Sequence, residues 1–126
     1  MDTLAGVSFL KAMNYTSVAL VGHSFGGAVV ITAAPLSLEV KAVVALSSQT
    51  GGAQNAGLVS PRPLLLVHGE ADTRLPPQSS RAIYIWAKQP KELVLYPGAG
   101  HGLRQCKDEL DALLLGWLTD KLRTSG

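Results

Sequence analysis

The chain has 126 residues, of which 47% are hydrophobic and 16% are charged. This length fits a single domain over residues 1–126 and leaves no room for two. The 11 basic and 9 acidic residues give a net charge of +2. Because the basic residues form no cluster, this excess argues against nucleic acid or an anionic membrane as a partner. The aliphatic content excludes a disordered chain, and the single cysteine excludes a disulfide scaffold.

The sequence also gives no sign of export, membrane insertion or a cofactor. Met1 is followed by Asp2 instead of the basic and apolar residues of a signal peptide. No apolar stretch reaches the ~18 residues of a membrane span. The three histidines lack the spacing and the cysteine pair of a zinc site, and Gly51-Gly52 lacks the strand-then-helix setting of a phosphate loop. We therefore expect a soluble, cytoplasmic protein with no metal and no other cofactor.

Strand-like and helix-like segments alternate along the chain. Four runs have the continuous apolar composition of buried strands: residues 17–21, 40–46, 63–68 and 92–96. Four segments have helical spacing or composition: residues 2–13, 25–34, 78–88 and 105–123. Residues 49–60 are a polar, Gly-rich loop without a period. This alternation predicts an α/β fold in which helices flank a parallel sheet of about four strands.

The first segment with a chemical signature is Gly22-His23-Ser24-Phe25-Gly26, a G-x-S-x-G motif between a predicted strand and a predicted helix. A serine on so tight a turn adopts a strained backbone, and side chains at Gly22 and Gly26 would clash with it. The turn lifts the Ser24 hydroxyl above the sheet, at the positive end of the following helix. The motif therefore indicates a nucleophilic serine.

Two further segments follow predicted strands. His68-Gly69-Glu70-Ala71-Asp72 follows the third strand, and Pro97-Gly98-Ala99-Gly100-His101-Gly102 follows the fourth. In a parallel sheet these loops emerge at the carboxyl ends of the strands, which is the side where ligands bind. A hydroxyl, a carboxylate and an imidazole are thus expected to converge there, in the chain order Ser, Asp, His of α/β-hydrolases.

These motifs resemble the carboxyl-terminal half of an α/β-hydrolase, in particular the dienelactone-hydrolase-like enzymes and small serine esterases. The segments VALVGHSFGG, LLLVHGEADTRLP and YPGAGHG carry the resemblance. It implies a catalytic triad of Ser24 as nucleophile, Asp72 as acid and His101 as base. It also implies that the backbone N–H of Phe25 donates to the oxyanion. The expected substrate is a small ester, and the expected reaction is hydrolysis through an acyl-enzyme.

Other interpretations of these residues remain open. Glu70 competes with Asp72 as the acid, although the spacing from Gly69 favours Asp72. We expect a structural role for His23 and a buried, hydrogen-bonded side chain for His68. Thioesterases and peptidases use the same triad, and a non-catalytic half-domain that binds a partner is a further alternative.

The resemblance covers half of a fold whose sheet usually has eight strands. The absent portion includes the loop that normally supplies the second oxyanion donor, and nothing in residues 1–14 replaces it. The strand at residues 17–21 is expected at an open edge, and one helix is expected to leave a sheet face bare. Such surfaces predict a homodimer or a higher homo-oligomer, unless the chain is a fragment. The loop over residues 49–60 is too short for a helical cap, which predicts an open site for short-chain esters.

Overall fold

The computed structural model describes residues 7–11 and 18–124, with only the backbone described for 7–11 and 124. The described residues form five strands: β1 (Val7–Lys11), β2 (Val18–His23), β3 (Val40–Leu46), β4 (Leu64–Gly69) and β5 (Lys91–Tyr96). They also form three α-helices: α1 (Phe25–Ala33), α2 (Gln78–Trp86) and α3 (Lys107–Thr124). Short 3-10 helices lie at Ala34–Leu36, Ala56–Val59 and Arg104–Cys106.

The strands form one sheet in the order β1-β2-β3-β4-β5. Strands β2 to β5 pair in parallel, whereas β1 pairs with β2 in the antiparallel direction. The parallel sheet of four strands with flanking helices is therefore confirmed. Because β2 to β5 run the same way, their carboxyl ends lie at one edge of the sheet.

Successive strand residues point to opposite faces of the sheet and divide the core into two layers. On one face, alternate strand residues pack with side chains of α1 and α2. The strand residues are Leu20, Val43, Leu64 and Leu66, and the helix residues are Val30, Ile31 and Ile83. On the other face, the intervening strand residues pack with side chains of α3. The strand residues are Ala19, Ala42, Val44, Leu65 and Val67, and the helix residues are Leu110, Trp117 and Leu118. Burial on both faces explains why these strands have no polar alternation.

The predicted helix over residues 2–13 is wrong where the structure describes it. Residues 7–11 are strand β1, and the rest of the predicted helix lies outside the described residues. The segment Val-Ser-Phe-Leu-Lys also has strand-like alternation over its first three residues. Pairing from Val7 with Gly22 to Lys11 with Val18 satisfies backbone groups that β2 would otherwise leave open. The expectation that the strand at residues 17–21 lies at an edge is wrong for the same reason.

The expected bare face of the sheet is also absent from the described part of the chain. Ala19, Ala42, Val44, Leu65 and Val67 on the α3 side are each fully buried. Helix α3 does not cover this face alone, because the segment between β5 and α3 packs on the same face through three buried residues: Ala99, Leu103 and Cys106. The open edge and the bare face therefore no longer support the predicted homo-oligomer, which stays a prediction.

Helix α3 packs on the sheet through one apolar stripe. Leu110, Trp117 and Leu118 are buried, and Cys106 just before the helix is buried with them. Trp86, at the end of α2, has 40% of its surface exposed. Within residues 7–11 and 18–124, no helix has the length and apolar content to cross a membrane.

Candidate active site

Ser24 is the single residue between the end of β2 and the start of α1. Its backbone has φ 60° and ψ −118°, a strained conformation for a residue with a side chain. The turn is held by hydrogen bonds from Ser24 N to Leu46 O (2.8 Å) and from Gly27 N to Ser24 O (3.0 Å). A Cβ on Gly22 would lie 2.1 Å from the carbonyl oxygen of Gly26, so only glycine permits this approach. The turn sets Ser24 at the amino end of α1.

The loops after β4 and β5 are bonded to each other. Glu70 N donates to Tyr96 O (3.0 Å), and Ala71 N donates to Ala99 O (2.9 Å). The approach depends on Gly69, because a Cβ there would lie 2.2 Å from Ala99 O. This contact fixes the loop that carries Asp72 against the loop that carries His101.

The structure brings Ser24, Asp72 and His101 together in one chain of hydrogen bonds. His101 Nε2 lies 3.0 Å from Ser24 Oγ, and His101 Nδ1 lies 2.8 Å from Asp72 Oδ2. The Asp72 side chain is fully buried, and the His101 side chain is 15% exposed. Of the two candidate acids, Asp72 faces the imidazole, whereas Glu70 is exposed. The tautomer that fits these distances has the proton on Nδ1, which leaves Nε2 to accept from the serine hydroxyl.

Asp72 is held in its ionised form by hydrogen bonds. Its Oδ1 accepts from the backbone N–H of Arg74 (2.8 Å) and of Leu75 (2.9 Å). Burial by itself raises the pKa of Asp72, but the hydrogen bonds from Leu75, His101 and Arg74 outweigh burial and lower that pKa below the usual carboxyl value. An ionised acid next to Nδ1 stabilises the imidazolium that forms when His101 takes a proton.

Two side chains that the sequence did not assign to the site hold the His101 backbone. His23 Nε2 donates to the His101 carbonyl oxygen at 2.8 Å, and Ser47 Oγ donates to the same oxygen at 2.9 Å. The rings of His23 and His101 have centroids 5.0 Å apart. His23 ends β2 and Ser47 follows β3, so two neighbouring strands position the loop after β5. The structural role predicted for His23 thus includes a bond to the residue that carries the imidazole.

The backbone N–H of Phe25, the predicted oxyanion donor, belongs to the first residue of α1. The first amides of a helix have no acceptor within the helix, and the helix dipole adds partial positive charge there. This N–H follows Ser24 directly, so it suits negative charge that develops beside the serine hydroxyl. No second donor to the oxyanion is assigned among the described residues.

A cleft of about 400 Å³ opens beside the imidazole. Its lining includes His23 and His101, together with Arg74 and Arg104. Among the described residues, no set of three or more His, Cys, Asp or Glu side chains has the arrangement of a metal site. Of the three hydrogen-bonded candidate residues, His101 lines this cleft.

Comparisons with known proteins agree with this fold. The model of the dienelactone hydrolase family matches residues 1–114. A dienelactone hydrolase from Anabaena variabilis superposes with a TM-score of 0.76 at 25% identity, over 86% of this chain and 51% of that one. The esterase domain of a Rhodothermus marinus protein superposes with a TM-score of 0.62 at 23% identity, over 71% of this chain and 55% of the domain. The predicted resemblance to α/β-hydrolases is confirmed.

The chain is shorter than these relatives. It spans about half of the Anabaena and Rhodothermus chains. Over 56 residues it is 45% identical to YfhR from Escherichia coli K12, a match that covers 44% of this chain and 20% of YfhR.

Proposed function

The chain belongs to the dienelactone hydrolase family, and from this premise we propose that it is a serine hydrolase that cleaves small carboxylic esters. One observation carries the proposal, namely the unbroken hydrogen-bonded chain from Ser24 Oγ through His101 to Asp72 Oδ2. A turn serine without catalytic function needs neither partner. The strained backbone of Ser24 supports the same conclusion, because such strain is concentrated at functional sites.

In the proposed reaction, His101 Nε2 takes the proton from Ser24 Oγ while Oγ attacks the ester carbonyl carbon. The carbonyl oxygen becomes an oxyanion, to which the Phe25 N–H donates. When the tetrahedral intermediate collapses, the bond to the alcohol oxygen breaks and the imidazolium returns its proton to that oxygen. The alcohol leaves, and the acyl group stays on Ser24.

Water completes the cycle by the same route. His101 Nε2 takes a proton from the water as its oxygen attacks the acyl carbon, and then returns that proton to Ser24 Oγ as the acid leaves. The Asp72 carboxylate stays ionised throughout and holds the imidazole by Nδ1. The Phe25 N–H is the oxyanion donor assigned in this proposal, and the loss of one such donor costs about 10²–10³ in kcat.

The proposed preference for short acyl chains rests on the openness of the site. In the structure, residues 49–60 contain one short 3-10 helix, Ala56–Val59, and no α-helix. This loop therefore supplies no helical lid that could enclose a long acyl chain. Activity on p-nitrophenyl esters is therefore expected to fall once the acyl chain exceeds about four to six carbons. A series that rises as far as laurate would contradict this preference.

The nucleophile is tested by a fluorophosphonate probe, followed by intact-mass spectrometry and peptide mapping. We expect one adduct per chain, on Ser24, and loss of both the adduct and p-nitrophenyl acetate turnover in Ser24→Ala. Ser37→Ala is the matched control, because Ser37 precedes β3 at the opposite edge of the sheet.

Labelling tests the nucleophile without requiring fast turnover. Wild-type protein that takes no adduct would favour the alternative of a half-domain that only binds a partner. Turnover that is equal in wild type and Ser24→Ala would exclude Ser24 as the nucleophile.

A further inference from the structure

His68 is a fully buried polar side chain that the proposed reaction does not use. It lies near the end of β4, beneath the loop that carries Asp72. Its Nδ1 lies 2.7 Å from Ser80 Oγ on α2, and its Nε2 lies 2.7 Å from the carbonyl oxygen of Leu75. The same Nε2 lies 3.1 Å from Asp72 Oδ2, the oxygen that also faces His101. A buried imidazole with both nitrogens engaged beside the triad acid calls for a functional explanation.

The partners of the ring assign its proton. Nε2 faces a carbonyl oxygen and a carboxylate oxygen, which only accept, so Nε2 carries a hydrogen. In the neutral ring Nδ1 is then an acceptor, and the hydroxyl of Ser80 donates to it. Ser80 is itself fully buried, so no water competes for this bond. Helix α2 thereby fixes both the orientation and the tautomer of His68.

His68 acts on Asp72 in two ways. Directly, its Nε2–H sets a positive hydrogen near Oδ2 at a nitrogen–oxygen distance of 3.1 Å. Indirectly, it holds the Leu75 carbonyl, while the N–H of the same residue donates to Asp72 Oδ1. One ring therefore restrains the carboxylate at both oxygens. The N–H groups on Oδ1 and the two imidazoles near Oδ2 leave this carboxylate no free rotation.

We propose that His68, oriented by Ser80, is a positioning residue that fixes the Asp72 carboxylate against His101. This inference rests on the proposed function, because it assigns a role within the same triad. His68 touches neither the serine nor the cleft among the contacts described, so it works only through Asp72. It restrains Asp72 Oδ2, the oxygen that faces His101 Nδ1, and makes that oxygen a weaker hydrogen-bond acceptor for the imidazole proton.

The inference predicts a change that a purely structural histidine would not cause. When the N–H beside Oδ2 is removed, that oxygen becomes a stronger acceptor for His101, and the imidazolium is favoured. The acid-side midpoint of the kcat/KM profile is expected to rise by about 0.3–1 pH unit. The loosened carboxylate should also lower kcat on the order of 10²-fold, with KM little changed.

The experiment compares His68→Leu, which has no donor, with His68→Gln, whose amide N–H can reach the position of Nε2. Ser80→Ala tests the support of the ring, with an expected fall in kcat of about 3- to 10-fold. Ser60→Ala is its control, because the Ser60 hydroxyl also makes one hydrogen bond, to the carbonyl oxygen of Gln89, and lies far from the triad at the amino ends of the parallel strands. Melting curves establish that each variant is folded before kinetics are compared.

A second readout does not depend on activity. The proton between His101 Nδ1 and Asp72 Oδ2 gives a far-downfield ¹H NMR resonance, which should move further downfield in His68→Leu and return towards the wild-type position in His68→Gln. If the wild type takes the fluorophosphonate label but the resonance and the pH midpoint are the same in His68→Leu, the positioning role is wrong and the serine hydrolase stands. If the wild type takes no label but the resonance moves, the positioning contact stands and the proposed function fails.

Discussion

Replacement of Asp72 by Asn tests the proposed triad with the loss of a single charge. Asp72 Oδ1 accepts two backbone N–H groups, at 2.8 and 2.9 Å. An asparagine side chain therefore keeps its oxygen at that position and points its NH₂ group at the position of Oδ2. That NH₂ group then faces His101 Nδ1, which lies 2.8 Å from Oδ2 in the wild type.

The exchange reverses the tautomer of His101. Because the new NH₂ group donates to Nδ1, the ring proton moves to Nε2, and Nε2 can no longer accept from Ser24 Oγ. The same exchange in a Ser-His-Asp protease costs about 10⁴ in kcat. At 1.36 kcal/mol per tenfold change, this is a loss of about 5.4 kcal/mol of transition-state stabilisation. His68 Nε2 lies 3.1 Å from Asp72 Oδ2 in the wild type, so its N–H would face the new NH₂ group, and two donors would then point at each other.

The assay is the pseudo-first-order rate of fluorophosphonate labelling of Ser24, together with kcat on p-nitrophenyl acetate. Glu70→Gln is the matched control, since Glu70 is the competing acid, lies two residues away and is exposed. We expect a fall in both rates on the order of 10⁴-fold for Asp72→Asn and less than about twofold for Glu70→Gln. A folded Asp72→Asn variant that labels within tenfold of wild type, or a large loss in Glu70→Gln, would refute the assignment of the acid.

Three further outcomes follow from the structure, and one prediction made from the sequence is tested beside them. The fold lowers the pKa of Asp72, so ionised Asp72 stabilises the folded state. This stabilisation is full above the unfolded-state pKa of about 4 and is lost as the pH falls through the lower pKa of the folded state. The free energies of unfolding of wild type and Asp72→Asn should therefore converge in acid. Gly69→Ala, whose Cβ would meet Ala99 O at 2.2 Å, should slow labelling on the order of 10²-fold, while Gly51→Ala should not. Gly116→Ala, in an exposed turn of α3 with no atom within 4 Å of the new Cβ, should raise the free energy of unfolding in urea by about 0.5–1 kcal/mol. The homo-oligomer predicted from the sequence is tested separately by sedimentation at micromolar concentration, where a stable monomer would exclude it.

Much of the fold was predictable because the strands are short, apolar and separated by helical segments. Strand β3 coincides with the predicted residues 40–46, and the other parallel strands differ by one or two residues at their ends. The helix prediction failed at residues 7–11 because their apolar residues fit both the helical and the strand period. Val7 and Leu10 have helical spacing, and Val7 and Phe9 have strand spacing. The choice depends on the partner strand, since β2 has an open edge in the absence of β1.

The candidate site was predictable to the level of its loops but not of its supporting bonds. Parallel strands bring the loops after β2, β4 and β5 to one edge, so chain order predicted which loops converge. The family resemblance then named the three candidate residues within them. The bonds from His23 and Ser47 to the His101 carbonyl depend on how the loop after β5 folds back over β2 and β3. The contact of His68 with Ser80 depends on where α2 packs. The position of His23 and His68 at strand ends was the only available signal.

The structure also explains how a chain that spans about half the length of its relatives can contain all three residues of the proposed triad. The proposed nucleophile, acid and base follow β2, β4 and β5, and the bond from Ser47 comes from the end of β3. Each of these contacts therefore comes from the four parallel strands. The proposed oxyanion donor is a different kind of group, the backbone N–H of Phe25 at the start of α1. Deprotonation of Ser24 and stabilisation of the oxyanion therefore depend on different groups and should separate in experiment. The pH dependence of Ser24 labelling should be that of a Ser-His-Asp triad, because it depends on the base and not on the oxyanion donors.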